Sequence, residues 1–140
     1  MRKIATILLV LLLCGCCSID AEIPGQPKLV TEIEVTYQSG PIRMHRRYDT
    51  SDKLRAVLTY FRTLKLYGNA DAEEANLSGS EARVIVFYSD GSQKVFEQRN
   101  DQYLRTDGGP WQYIDPDQGQ DLLLLLKLLE SDSETIKNTK

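Results

Sequence analysis

The chain opens its folded part with strict alternation. Leu29, Thr31, Ile33, Val35 and Tyr37 fall on one side and Val30, Glu32, Glu34 and Thr36 on the other, which is the period of a half-buried strand. Ser39-Gly40 is the expected tight turn, and Ile42 to Tyr48 the returning strand. That turn places Tyr37 beside Ile42, Val35 beside Met44, Glu34 beside His45 and Glu32 beside Arg47, so apolarity and charge agree across the pair. Arg46 falls on the apolar side next to Ile33, either as a stem that snorkels at the sheet edge or as a polar spot in a pocket.

The period then changes. Leu54, Val57, Leu58, Phe61 and Leu64 recur at helical spacing behind an N-cap at Thr50 or Ser51, and Gly68 is the expected stop. Asn69 to Ser80 reads as a polar loop. From Ala82 to Thr106 the β-branched and aromatic residues return, broken at Asp90-Gly91 and at Asn100-Asp101, which predicts a three-stranded antiparallel meander. Two-residue turns at both breaks gather Val84, Val86, Val95 and Leu104 on one face and Ile85, Phe87, Phe96 and Tyr103 on the other. After the turn-rich Thr106 to Pro110, the segment Trp111 to Ile114 predicts a short strand with Trp111 and Tyr113 on the aromatic side. Asp115 as N-cap, Pro116 at the first helical position and Gln118 completing a capping box start a last helix. Its Leu122 to Leu129 run, interrupted only by Lys127, suits burial between neighbours.

The expected fold is therefore α+β, an antiparallel sheet of about five strands in the order β-β-α-β-β-β-α with both helices on one face. Residues 29–130 form a single domain, followed by a polar tail over 131–140.

The amino terminus carries a different pattern. Met1-Arg2-Lys3 is basic, Ile4 to Leu13 is an unbroken apolar run too short to span a bilayer, and Cys14-Gly15-Cys16-Cys17 follows at once. Leu13-Cys14-Gly15-Cys16 resembles the lipobox of bacterial lipoproteins. The resemblance implies a signal peptide over 1–15, diacylglycerol on the Cys16 thiol, and a mature chain anchored in the cell membrane on its extracytoplasmic face. Residues 16–28, with Pro24, Gly25 and Pro27, then read as the lipidated cysteine and a flexible tether.

Composition narrows the chemistry. The chain has 17 Lys and Arg against 20 Asp and Glu, a net charge of −3, and without Arg2 and Lys3 the balance is −5. Such a balance disfavours a nucleic-acid partner, which calls for a basic footprint. All three cysteines lie before residue 18, so the domain has no internal disulfide and no Cys metal site. It has one histidine and no Gly-rich phosphate loop, and the sequence carries no cofactor or metal signature. Arg43, His45, Arg46 and Arg47 invite an anion-site reading, against which stands a solvated strand face balanced by glutamates.

The expectation from sequence is a non-catalytic, membrane-anchored binding module. Phe87, Phe96, Tyr103, Trp111 and Tyr113, with Arg46 nearby, would engage a protein or an envelope polymer from an open sheet face, since rings offer apolar faces and polar edges. The alternatives are a structural subunit of an envelope assembly, signalled by leucines such as Leu123 or Leu128 left exposed, and a small acid-based envelope hydrolase. The hydrolase requires two carboxylates facing one another across a cleft.

Overall fold

The computed structural model describes residues 29–137, with side chains described through residue 130. The signal peptide, Cys16 and the tether expected over 1–28 lie outside the described residues. The elements are β1 (Val30–Ser39), β2 (Ile42–Tyr48), α1 (Ser51–Thr63), β3 (Leu66–Asn69), α2 (Ala72–Ala75), β4 (Glu81–Tyr88), β5 (Gln93–Arg99), β6 (Tyr103–Thr106), β7 (Gln112–Ile114) and α3 (Pro116–Lys137). All strands join one antiparallel sheet in the order β2-β1-β4-β5-β6-β7-β3. The class is α+β as expected, but the sheet has seven strands rather than about five.

The added edge strand, β3, comes from an early end to α1. The helix stops at Thr63 instead of running to Gly68, because Leu64 turns to extended backbone. The Gln118 amide holds that break from the other side: its Oε1 accepts from Lys65 N at 3.0 Å and its Nε2 donates to Thr63 O at 3.2 Å. Gln118 therefore does not fold back to close a capping box. Asp115 does cap α3, accepting from Asp117 N at 3.0 Å. The freed residues Leu66 and Asn69 pair with Ile114 and Gln112, an addition no local pattern announces. The polar segment from Ser131, expected as a tail, is helical backbone to Lys137, since it holds no Pro or Gly to stop a helix already nucleated.

Register corrects the expected faces. In the first hairpin the turn is Gly40-Pro41, so Tyr37 pairs with Met44 and Val35 with Arg46. Proline explains the shift: with Ser39-Gly40 as the turn, Pro41 would have to donate a ladder hydrogen bond it does not possess. Gly40 at φ 54 supplies the positive first turn residue instead. The pairing moves by two positions, so the inward and outward sets survive.

The next hairpin moves by one, and the sets do not survive. Tyr88 and Ser92 close a three-residue connection, with Gly91 N donating to Tyr88 O at 3.0 Å and Tyr88 N to Ser92 O at 3.0 Å. Of the connecting residues only Gly91 has positive φ, at 82°, whereas a type I′ turn needs it at both central positions. Val84 then pairs with Phe96, and Ile85 with Val95. The following connection, Asn100 to Gln102, is also three residues long and pairs Gln98 with Leu104. The two extra residues cancel, so β4 and β6 keep their expected relation and β5 alone is turned over.

The helices cover the even-numbered face of β4, β5 and β6. Val57 and Phe61 of α1 and Leu122, Leu126 and Leu129 of α3 join Ile33, Val35, Val84, Val86, Phe96 and Leu104 in one core. Phe96 stacks on Phe61 at 4.3 Å between ring centroids. Gln98, 3% exposed, is the buried polar residue of this layer. Its Oε1 accepts from Tyr60 Oη at 2.5 Å and its Nε2 donates to Gly119 O at 2.9 Å. One amide thus joins α1, β5 and α3. A β-carbon at Gly119 would collide with the carbonyl of Asp101, so glycine is what lets the first turn of α3 rest on the Asn100-Asp101 bend.

Candidate functional site: the open face of the sheet

The face away from α1 and α3 is built from the odd-numbered residues of β4 to β7 and, past the irregularity after Val30, the even-numbered residues of β1 from Glu32 onward. Its centre is Ile85 beside Val95, with Phe87 two residues along β4, and all three are half-buried. Each lies on a strand flanked by others on both sides, so it is the side chains that face outward.

Paired charges border this apolar centre on two sides. Toward β2, Glu34 Oε1 lies 2.9 Å from His45 Nε2 and Glu34 Oε2 accepts from Arg47 Nη2 at 3.2 Å, while Arg47 Nε meets Glu32 at 3.3 Å. The donors from His45 and then Arg47 hold the Glu34 carboxyl below its ordinary range. The expected charge partners meet, but the Cα partner of His45 is Thr36 and that of Arg47 is Glu34. Toward β6, Arg105 Nε donates to Glu97 at 2.6 Å, and this bond holds the Glu97 carboxyl low as well. These residues form a compensated rim.

At the β6–β7 end the face is covered. Ala75 of α2 packs with Tyr103 and Trp111, with Ala70 and Tyr113 against them. The Arg105 guanidinium lies 4.6 Å and that of Arg99 5.7 Å from the Trp111 ring centroid, within cation–π range. Arg99 also reaches Asn76 Oδ1 at 3.2 Å and Glu81 Oε1 at 3.0 Å, which fastens the α2 segment to the sheet. Tyr113 Oη donates to Glu74 at 2.5 Å, and this hydrogen bond pushes the phenol up to about 12.

The expected set of rings is thereby divided. Phe87 and Tyr113 stand half-buried on the open side. Tyr103 and Trp111 are on that side but 8% and 4% exposed, under α2. Phe96, 6% exposed, is on the opposite face among the helices, a consequence of the inverted β5. Arg46 is also on the helix side, where its guanidinium pairs with Glu130 of α3 and donates to its own neighbour's carbonyl, His45 O, at 2.8 Å. It is the snorkelling stem of the two readings, and it ties α3 to an edge strand.

Sequence reasoning passed over Val95 and the Glu97–Arg105 pair as members of this face, since both follow from the length of one turn. It also passed over α2, whose four residues are too few to leave a periodic signal. Asp71 as its N-cap, accepting from Glu73 N at 2.8 Å, was the one local clue. Among the described residues, no group of three or more His, Cys, Asp or Glu is placed to hold a metal ion. Comparison of the chain with family models, with curated proteins and with solved structures finds no match.

Proposed function

We propose that this chain is a membrane-anchored, non-catalytic binding module of the bacterial lipoprotein type that holds a protein partner on the open sheet face. The observation that carries the reading is the composition of that face. Half-buried Ile85, Phe87 and Val95 lie between two sets of ion pairs, with neither long helix over them. An apolar centre within a polar rim is how protein interfaces are built. A sugar platform calls for open rings, and Trp111 and Tyr103 lie beneath α2. A protein is therefore favoured over an envelope polymer. The acid-based hydrolase is disfavoured because hydrogen bonds from His45 and Arg47 hold Glu34 low and one from Arg105 holds Glu97 low, the opposite of what a general acid needs.

A photoactivatable phenylalanine analogue at position 87, in cells carrying the full chain, tests the reading. Cross-links to a discrete protein, lost on Ile85→Lys and absent with the analogue at exposed position 55 on α1, are expected. Cross-links to polysaccharide, or none above the position-55 control, overturn the choice of ligand. The anchor is tested apart from the face: metabolic fatty-acid label should disappear in Cys16→Ser.

A further inference from the structure

The two edges of the sheet are protected very differently. β2 presents Arg43, His45, Arg46 and Arg47 along its exposed edge, the charged blunting by which edge strands avoid pairing with other chains. β3, at the opposite edge, has the sequence Leu-Tyr-Gly-Asn, with no charge. Leu66 is 50% and Tyr67 61% exposed. Its inner side pairs with β7 at Leu66 and Asn69, with an irregularity between them, and among the described residues its outer side is the end of the sheet.

From these features we infer that β3 is a homotypic contact: two copies of this chain join through their β3 edges in antiparallel alignment. The charges that flank the strand select this occupant. Exposed Lys65 precedes β3, and exposed Asp71 and Glu73 follow it. Antiparallel alignment sets each copy's lysine beside the other's acidic end. A parallel alignment would set like charges together. A twofold axis requires the antiparallel arrangement, so the charge order and the symmetry agree. Leu66 and Tyr67 of each copy supply apolar cover for the new backbone hydrogen bonds. With four residues in the strand, the joint is small and the association weak and reversible.

Sedimentation of the full chain tests this, in reductant so that Cys14, Cys16 and Cys17 form no cross-links, and in detergent so that the Ile4 to Leu13 run is held apart. A concentration-dependent dimer is expected, weakened about tenfold or more by Tyr67→Lys, the gatekeeper charge that β3 lacks. Ile42→Lys on the β2 edge should leave it unchanged. Lys65→Glu should weaken the dimer, and Lys65→Glu with Glu73→Lys should restore it. Unfolding midpoints of the variants, read by circular dichroism, separate lost pairing from lost folding, since these side chains are all exposed. A monomer at every concentration overturns the proposal. So does a dimer indifferent to Tyr67→Lys, which would be driven by another surface, or one indifferent to Lys65→Glu, which would leave nothing to favour a second copy over any extended peptide.

Discussion

Gln98 lies in an apolar layer because both ends of its amide are satisfied, by the Tyr60 hydroxyl and by the Gly119 carbonyl. Burial raises the Tyr60 phenol well above its ordinary value, so the hydroxyl stays a donor throughout the neutral range. Tyr60→Phe should cost roughly 1–3 kcal/mol, the penalty for leaving a buried acceptor without its donor. Adding Gln98→Leu should cost less than the sum of the two single changes, because the stranded partner is then gone too. Urea unfolding of the four chains measures both quantities. Gly119→Ala reverses a common rule. In an open helix alanine would gain about 1 kcal/mol, but here its methyl meets the Asp101 carbonyl, and a loss on the order of 1–3 kcal/mol is expected by the same measurement.

An ion pair and a phenol–carboxylate hydrogen bond at this scale carry opposite pH signatures. The folded Glu97 carboxyl is lowered by Arg105, so its contribution is fully present above the ordinary glutamate value of 4.5 and is lost as pH falls through the lower folded value. Arg105→Gln should flatten the acid limb of a plot of unfolding midpoint against pH. Tyr113 is raised to about 12 by its bond to Glu74, so its contribution holds below the ordinary tyrosine value of 10 and is lost as pH climbs from 10 through about 12. Tyr113→Phe should make the alkaline limb shallower, the raised Tyr60, Tyr37 and Tyr48 phenols keeping the remainder, while leaving the acid limb as it was.

At the scale of elements, what the sequence made legible was periodicity. The alternation of β1, the Leu54-Val57-Phe61 stripe of α1 and the Asp115-Pro116 start of α3 each follow from residues close in the chain, and each stands in the structure. The length of the connections was harder to read. Asp90-Gly91 serves a two-residue turn or a three-residue one equally well, and the choice is made by which face of β5 the helices bury. Burying Phe96 against Phe61 is worth roughly 2–3 kcal/mol, while the other parity would press Glu97 and Arg99 into the apolar layer. β3 and α2 leave no local pattern for another reason. Each has four residues and is held by distant partners: β7 and the Gln118 amide for one, the Trp111 and Tyr103 rings for the other. The candidate face was legible as a face, through Ile85 and Phe87, but its membership was not.

For the molecule as a whole, the unequal cover on the two sides of the sheet is the organising fact. One side carries α1 and α3 over most of its area, and the other carries α2 at the β6–β7 end alone among the described helices. The single tryptophan reports on that smaller cover. Trp111 should emit as a buried indole and resist quenching by acrylamide, and Ala75→Asp, which breaks the contact of α2 with Tyr103 and Trp111, should make it accessible before the helix-side core unfolds. Coincident loss of quencher protection and far-ultraviolet ellipticity would show instead that the two clusters form one cooperative unit.

The paired connections on either side of β5 have a consequence for how this chain can drift. Each holds an odd number of residues, and the two together keep one strand facing inward while its neighbours stay in step. Losing or gaining one residue at either place would rotate everything downstream by half a pleat, exposing leucines and enclosing glutamates. Length variation among descendants of this chain should therefore occur at those two places in steps of two, even though the Ser89 to Gly91 bend is at the surface, where single-residue changes are ordinarily harmless.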